Sequence, residues 1–390
     1  MPQIQTPSRA LVCQGDAYDM GRAQGTALGK EIHRAYEDLR KIEAFCLKRP
    51  WWLPFGAFRR IARTRAGRVS SPAVAAGSPG NYQRTLGIAS GADAPVDGVW
   101  LLQAVEGLLG SVDGAVDVPP PGGCSALAIR GAASATGRPI IAHNFDYLPP
   151  VQPFFFIRES RPAHGLRSIE FTVAPLAGAI DGVNEKGLAI TYDYSQTLAT
   201  LDPGRAGPTI SMRISETLAE AATVSEAVDK LSRNSRWGSG LLMLADATGD
   251  VASLELSNTR AEVRRPNDGD DFVFHANNYV CPATAAVEVP VEGVYNARAP
   301  RPLRGRRVLD SSLRRMCRFD ELLQNAAGLS SDDLKRIMSD HDGGEPSDAT
   351  ICMHSDYWIT SACVQCLPQE RTLRVAFGTA CQAEYTDYTL

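Results

Sequence analysis

Three prolines and two glycines, Pro119-Pro120-Pro121-Gly122-Gly123, run straight into Cys124-Ser125 and then into short apolar stretches, Ala126-Leu127-Ala128-Ile129 and Ile140-Ile141-Ala142. Proline offers no amide donor and resists helix, and glycine reaches backbone conformations closed to other residues, so this stretch is a loop. The apolar stretches, separated by a small-residue turn from Gly131 to Gly137, have the form of a hairpin. A lone thiol therefore stands where a loop becomes a buried sheet.

Around that point the chain alternates between hairpins and helix blocks. Helical spacing recurs over 16–45 through Ile32, Ala35, Tyr36, Leu39, Ile42 and Phe45, with Gly21, Gly25 and Gly29 expected to weaken its first part and Pro50 to end it. In 51–85 the apolar Trp51, Trp52 and Phe55 are interrupted by Pro54, Gly56, Gly67, Pro72, Gly77 and Pro79, so an irregular excursion is expected. A short apolar helix is predicted over 99–109. After Cys124, strands are predicted at 154–157 and 169–173, then a turn closed by Gly187 and a strand to Tyr192. Helices are predicted over 211–222 and from Thr223, where Glu226 three residues on makes a capping signature. A hairpin over 241–256, a strand at 272–275 running into Asn277-Asn278, helices at 314–323 and 330–338, and a hairpin over 359–377 complete the chain. The pattern suits an α+β sandwich of antiparallel sheets faced by helices, with the Pro-Gly loop inside one domain.

With 390 residues, 44% of them hydrophobic, the chain can bury a sizeable core. A net charge of -4 gives no nucleic-acid footprint, and the arginine runs at 59–68 and 298–307 are read as solvated faces. No apolar run approaches the ~18 residues a bilayer requires, and Met1–Arg9 lacks an apolar signal region, so no membrane partner and a cytoplasmic location are expected. Nine cysteines, an odd number, read as buried thiols rather than a disulfide framework. Cys363-Val364-Gln365-Cys366 has the spacing of a metal or redox pair, but no second pair matches it and its neighbours alternate as on a strand; it is read as two strand side chains. Asn267–Asp271 is read as a polar turn. No metal and no cofactor are expected.

A thiol that cleaves amides needs a base and an oxyanion site. If the Gly123–Cys124 bond is cut, Cys124 gains an α-amine with a pKa of about 7.7–8.0, a base tethered beside the sulfur. The same thiol can make that cut by attacking the Gly123 carbonyl, through a thioester that water resolves, and glycine leaves the carbonyl unhindered. The bland alternative for a cysteine after two glycines is an ordinary buried thiol.

Gly123-Cys124-Ser125 followed by Ala142-His143-Asn144-Phe145-Asp146-Tyr147 resembles the acyl-coenzyme A:6-aminopenicillanate (isopenicillin N) acyltransferase-like family, self-cleaving cysteine members of the N-terminal nucleophile (Ntn) hydrolases. Further pieces are similar in order: Gly15 to Gly25, Gly87-Ile88-Ala89, Gly182-Val183-Asn184-Glu185-Lys186-Gly187-Leu188, and Asp340-His341 with Ile351-Cys352-Met353-His354. The resemblance implies a four-layer αββα sandwich of two antiparallel sheets, with 1–123 becoming a small chain and 124–390 a large one. It implies Cys124 as nucleophile and, through its amine, base; Asp146 as the group that orients the ammonium; Asn277 as oxyanion donor; and Asn144 as support. Asp193, with neighbouring Tyr192, and the pair Ser312 and Arg315 are implied at the substrate, although Ser311-Ser312 and Arg314-Arg315 leave the register of that pair open. Taken without the resemblance, Asp146 also suits a capped turn and Asn277 a strand end.

The activity implied is hydrolysis of a non-peptide or short acyl amide through a thioester on Cys124, or transfer of the acyl group to an amine or a coenzyme A thiol. A papain-like enzyme using His275 or His143, and a non-catalytic binding protein, are the competing readings. The partner expected is a small acyl amide; a homo-oligomer of αβ units is left open. Trp51, Trp52, Phe55 and Phe154–Phe156 are candidates for an apolar acyl pocket, with the phenylalanines favoured as core.

Overall fold

The computed structural model describes residues 5–112 and 122–390; Pro119–Pro121 of the loop lie outside the described residues. Two sheets form the centre. One has six strands in the order Phe272–His275, Ser125–Ile129, Ile140–Tyr147, Ile359–Leu367, Thr372–Phe377 and Thr386–Thr389, all antiparallel. The other has eight, in the order Leu11–Gly15, Phe155–Pro162, Ser168–Val173, Asp181–Asn184, Ala189–Tyr194, Gly240–Ala245, Val251–Leu256 and Ala261–Arg264. Leu11–Gly15 pairs in parallel with Phe155–Pro162; the other pairs are antiparallel.

The sheets pack face to face through Phe145, Phe155, Phe171 and Phe377, whose ring centroids lie 5.2–5.9 Å apart in edge-on or tilted pairs. Helices Ile210–Glu220 and Val224–Arg233 cover the outer face of the eight-stranded sheet, and Asp310–Leu323 and Ser331–Met338 that of the six-stranded sheet. On the latter side Phe319, Leu323, Leu334 and Met338 pack on Leu127, Ile129, Ile140 and Ala142. This is a four-layer αββα sandwich, as the resemblance implied.

The predicted strands and helices after Cys124 are present within a few residues. The turn between Asp181–Asn184 and Ala189–Tyr194 closes at Gly187, whose φ of 84° suits glycine, while Asn184 Oδ1 accepts from the Lys186 and Leu188 amides at 3.0 Å each. The segment before Cys124 differs from expectation. Residues 51–85 are no irregular excursion: helix Phe55–Gly77 runs straight through Pro72, and Pro79–Gly91 follows it. Gly21 and Gly25 do not loosen their helix, Ala17–Ala27, either. They face Gly87 and Gly91 where two helices cross. A Cβ on Gly21 would lie 2.0 Å from the Arg84 carbonyl oxygen, and one on Gly87 2.1 Å from that of Tyr18, so the helices approach because no side chain intervenes. Trp51 and Trp52, at 90% and 66% exposure, stand at the surface; Phe155 and Phe156 are core.

Candidate active site

Cys124 is fully buried at the start of strand Ser125–Ile129. Its Sγ lies 3.5 Å from the Asp146 main-chain oxygen, which also accepts from the Gly123 amide at 2.9 Å. The chain before the thiol is tightly held. A Cβ on Gly122 would stand 2.7 Å from that oxygen, and one on Gly123 3.1 Å from Met353 Cε. Burial pushes the Cys124 thiol up to about 12, His143 pulls it back and Asp193 raises it again.

The neighbouring strand Ile140–Tyr147 sends alternate side chains to the two faces of the six-stranded sheet. Asn144 and Asp146 face the helix layer. Asp146 is fully buried, and neither carboxylate oxygen has a hydrogen bond of ordinary geometry. Burial raises its pKa to about 7, although the Arg315 charge and the Thr360 hydroxyl pull it down. Asn144 donates to the Met338 and Ile351 carbonyl oxygens at 2.7 and 2.9 Å, tying the strand to a helix end and a loop. It acts on the framework and does not reach the thiol through its amide.

Arg315, on helix Asp310–Leu323, is buried and joins two of the implied residues, Cys124 and Asn277, together with Ser125. Its guanidinium donates to the Cys124 carbonyl oxygen, to Ser125 Oγ at 2.7 Å and to Asn277 Oδ1 at 2.8 Å. Because Arg315 has only donors, it fixes which end of the Asn277 amide faces it and turns Nδ2 toward the Tyr194 carbonyl oxygen, 2.7 Å away. Ser312 Oγ accepts from the main-chain N–H of Asn277 at 2.8 Å and donates to Asn278 Oδ1 at 2.6 Å. The register is thereby settled: Ser312 and Arg315 point inward, while Arg314 is exposed and pairs with Asp310 at 3.2 Å.

His143 faces the other way, into the space between the sheets. Its Nδ1 meets Asp181 Oδ2 at 2.8 Å and its Nε2 lies 3.0 Å from Asp193 Oδ1, an ion-pair contact without hydrogen-bond alignment. Beyond Asp193, His275 Nε2 stands 3.7 Å off, and His275 Nδ1 contacts Ser253 Oγ at 2.7 Å. Ligand-type atoms of Cys124, His143 and Asp193 lie within 4.8 Å of one another. Against a burial that pushes it down, Asp181 and Asp193 hold the His143 pKa well above its ordinary value. Asp193, despite its own burial, is held low by His143 and His275 and stands ionised.

Asp193 is therefore fully enclosed between two imidazoles rather than open on a substrate pocket. Tyr192 is fully buried with its hydroxyl 3.4 Å from the Ser239 carbonyl oxygen, and it lines neither recess near the thiol. One recess is bordered by Gly122, Gly123, Asn277, Ser312 and Arg315. The other is mostly apolar, lined by Leu102, Leu109, Tyr147, Phe154, Leu176 and Tyr194 together with the carboxylates Asp38 and Glu106. Sequence reasoning set His143 only in a competing reading and missed Asp181 and Ser253. Their strands lie far apart in the chain, so only the strand alternation of His143 pointed inward.

A profile of the family "Acyl-coenzyme A:6-aminopenicillanic acid acyl-transferase" matches residues 134–380. Among solved structures, the chain is similar to an N-acylethanolamine-hydrolyzing acid amidase ortholog of Caenorhabditis elegans, at 13% identity and TM-score 0.43, covering 68% of this chain and 100% of that one. A mutant form of the conjugated bile acid hydrolase of Clostridium perfringens follows at 12% identity and TM-score 0.37, covering 68% and 97%. Penicillin V acylase of Agrobacterium tumefaciens matches at 15% identity and TM-score 0.39, covering 68% and 86%. A search of the curated proteins returned no match.

Proposed function

Because this chain belongs to the acyl-coenzyme A:6-aminopenicillanic acid acyl-transferase family, we propose that it cuts itself at Gly123–Cys124 and then cleaves a small acyl amide through a thioester on Cys124. In the first step the sulfur attacks the Gly123 carbonyl carbon and the peptide nitrogen leaves as the α-amine of Cys124, taking up a proton. Water then hydrolyses the thioester, which frees the Gly123 carboxylate and returns the thiol. In turnover that amine accepts the thiol proton, passes it to the leaving amine of the substrate, and activates the water that releases the acid.

The observation that carries this reading is the arrangement of Arg315. One guanidinium grips the carbonyl of the nucleophilic residue and orients Asn277 beside the recess that Gly123 borders. Asn277 there supplies a neutral donor for an oxyanion, and its second Nδ2 hydrogen is the one that serves. The unpartnered Asp146 carboxylate is buried on the same side and, once the amine is free, gains a cation to face. The mostly apolar recess that Tyr147 lines suits the acyl part of the substrate.

Denaturing intact-mass measurement tests it. Two fragments, 1–123 and 124–390, are expected in wild type and one species in Cys124→Ala. A second reading is favoured by one observation, the closeness of His143 to the thiol with Asp181 behind it. There the chain stays whole and His143 serves the thiol directly. An uncut wild-type chain that still turns over an acyl amide selects that reading and overturns the first.

A further inference from the structure

The Asp340-His341 and Cys352-Met353-His354 segments take no part in the chemistry above, yet the fold brings them together with Cys381. His341, Cys352, His354 and Cys381 each present one ligand-type atom, and all four atoms lie within 4.8 Å of one another. His354 Nε2 is 3.4 Å from Cys352 Sγ and 3.6 Å from Cys381 Sγ. His341 Nε2 is buried without a hydrogen-bond partner, and its ring stands 5.3 Å from that of His354, nearly perpendicular to it.

From this geometry we propose that these four residues form a structural zinc site. Zinc bonds of about 2.3 Å to sulfur and about 2.0–2.1 Å to nitrogen in a tetrahedron put ligand atoms roughly 3.6 Å apart along a sulfur–nitrogen edge. The two measured sulfur–nitrogen separations match that edge. Two thiolates and two neutral imidazoles make a closed four-coordinate set of the structural kind, and with Zn²⁺ the group is neutral overall. Binding releases two protons, one from each thiol, to solvent. Neutrality matters here because Asp146 lies on the same side of the sheet and acts on the Cys352 thiol electrostatically.

The ion would pin three segments distant in the chain. His341 follows helix Ser331–Met338, beside Asp340, which Arg318 holds at 2.8 and 2.9 Å. Cys352 and His354 sit in the loop before strand Ile359–Leu367, and Cys381 lies on a short turn after strand Thr372–Phe377. Cys352 is flanked by the two residues that reach the active site. The Ile351 carbonyl holds Asn144, and Met353 packs where a side chain on Gly123 would be. The zinc site fixes the floor under the bond that is cut.

The test is metal analysis of the full-length chain purified without chelator, followed by replacement of the metal with Co²⁺. About one zinc per chain is expected, with a cobalt spectrum showing tetrahedral d–d bands and thiolate charge transfer. Cys381→Ser changes an exposed residue and should fold; it is expected to weaken zinc binding by more than the ~10–100-fold that loss of an outer-sphere partner costs. Cys317→Ser, an exposed thiol outside the cluster, should bind as wild type does. His341→Gln provides a second ligand variant, expected to shift the cobalt spectrum. A wild-type chain with neither zinc nor a thiolate–cobalt band, or one carrying a Cys352–Cys381 disulfide when freshly isolated, overturns the proposal. So does a Cys381→Ser chain that holds the metal as tightly as wild type. Whether the chain is cut at Gly123–Cys124 does not enter these readouts.

Discussion

Two of the clusters of buried charge in this sandwich contrast in how fully their polar groups are met. Nε of the neighbouring Arg84 has no hydrogen-bond partner among the described residues, but every donor of Arg158 itself is used. Its Nε meets Glu170 at 2.6 Å, Nη1 meets Gln24 Oε1 at 2.8 Å and the Leu176 carbonyl at 3.2 Å, and Nη2 meets the Ala177 and Gly178 carbonyls at 3.2 and 2.9 Å. Glu170 is met in turn by Ser160 and Ser168, and although burial raises its pKa, Arg158 and Arg84 bring it below the ordinary value. Around Cys124 the opposite holds: Asp146, Asp193, Asn144 and His143 all keep buried polar atoms without aligned hydrogen bonds. A satisfied cluster holds the fold together, whereas buried polar groups left unmet carry a cost that a partner supplied later would relieve.

The largest effect should come from breaking the satisfied cluster. Arg158→Met leaves Glu170 buried without its ion-pair partner, and is expected to cost about 3–5 kcal/mol in denaturant unfolding. The fraction cut at Gly123–Cys124 among folded molecules should stay as in wild type. If that variant instead folds normally and loses the cut, the division between the two clusters fails.

Asp146→Asn, made in the Cys124→Ala background so that the chain stays whole, should do the reverse and stabilise. The folded pKa of about 7 lies above the usual 3.8, so the carboxyl's contribution is fully present below about pH 4 and is lost as pH rises through 7. At ~1.4 kcal/mol per unit the gain at pH 8 is on the order of 4 kcal/mol, fading to nothing at pH 4. Urea midpoints at both pH values check this, and an equal effect at pH 4 and pH 8 refutes it.

The smallest effect should be at the far end of the open cluster. Ser253→Ala removes the contact to His275 Nδ1, two residues removed from the thiol, and is expected to cost about 1 kcal/mol. The rate of the cut should change less than tenfold, read by mass after a timed expression pulse. A larger rate effect would mean that His275 and Asp193 belong to the chemistry itself.

The sequence was legible where alternation and turn glycines carry the structure, as from Cys124 to Tyr192. It was misleading where glycine and proline serve packing. Gly21 and Gly25 look like helix breakers in one dimension and, against Gly87 and Gly91, are a helix crossing in three. Pro72 costs a helix one hydrogen bond, yet the 23-residue helix Phe55–Gly77 tolerates it. The contact of Arg315 with Cys124 and Asn277 joins residues that resemblance had named, with the register of Arg315 left open between two arginines. The chain His143–Asp193–His275–Ser253 was not readable, because each link comes from a different strand and forms only when two sheets face each other.

Strand Leu11–Gly15 lies on the far side of the proposed cut from the strand it pairs with, Phe155–Pro162. Severing the backbone at Cys124 therefore leaves each piece holding part of one woven sheet. The halves should travel as a non-covalent pair, and an affinity tag on the lighter one should draw the heavier through a column until denaturant parts them.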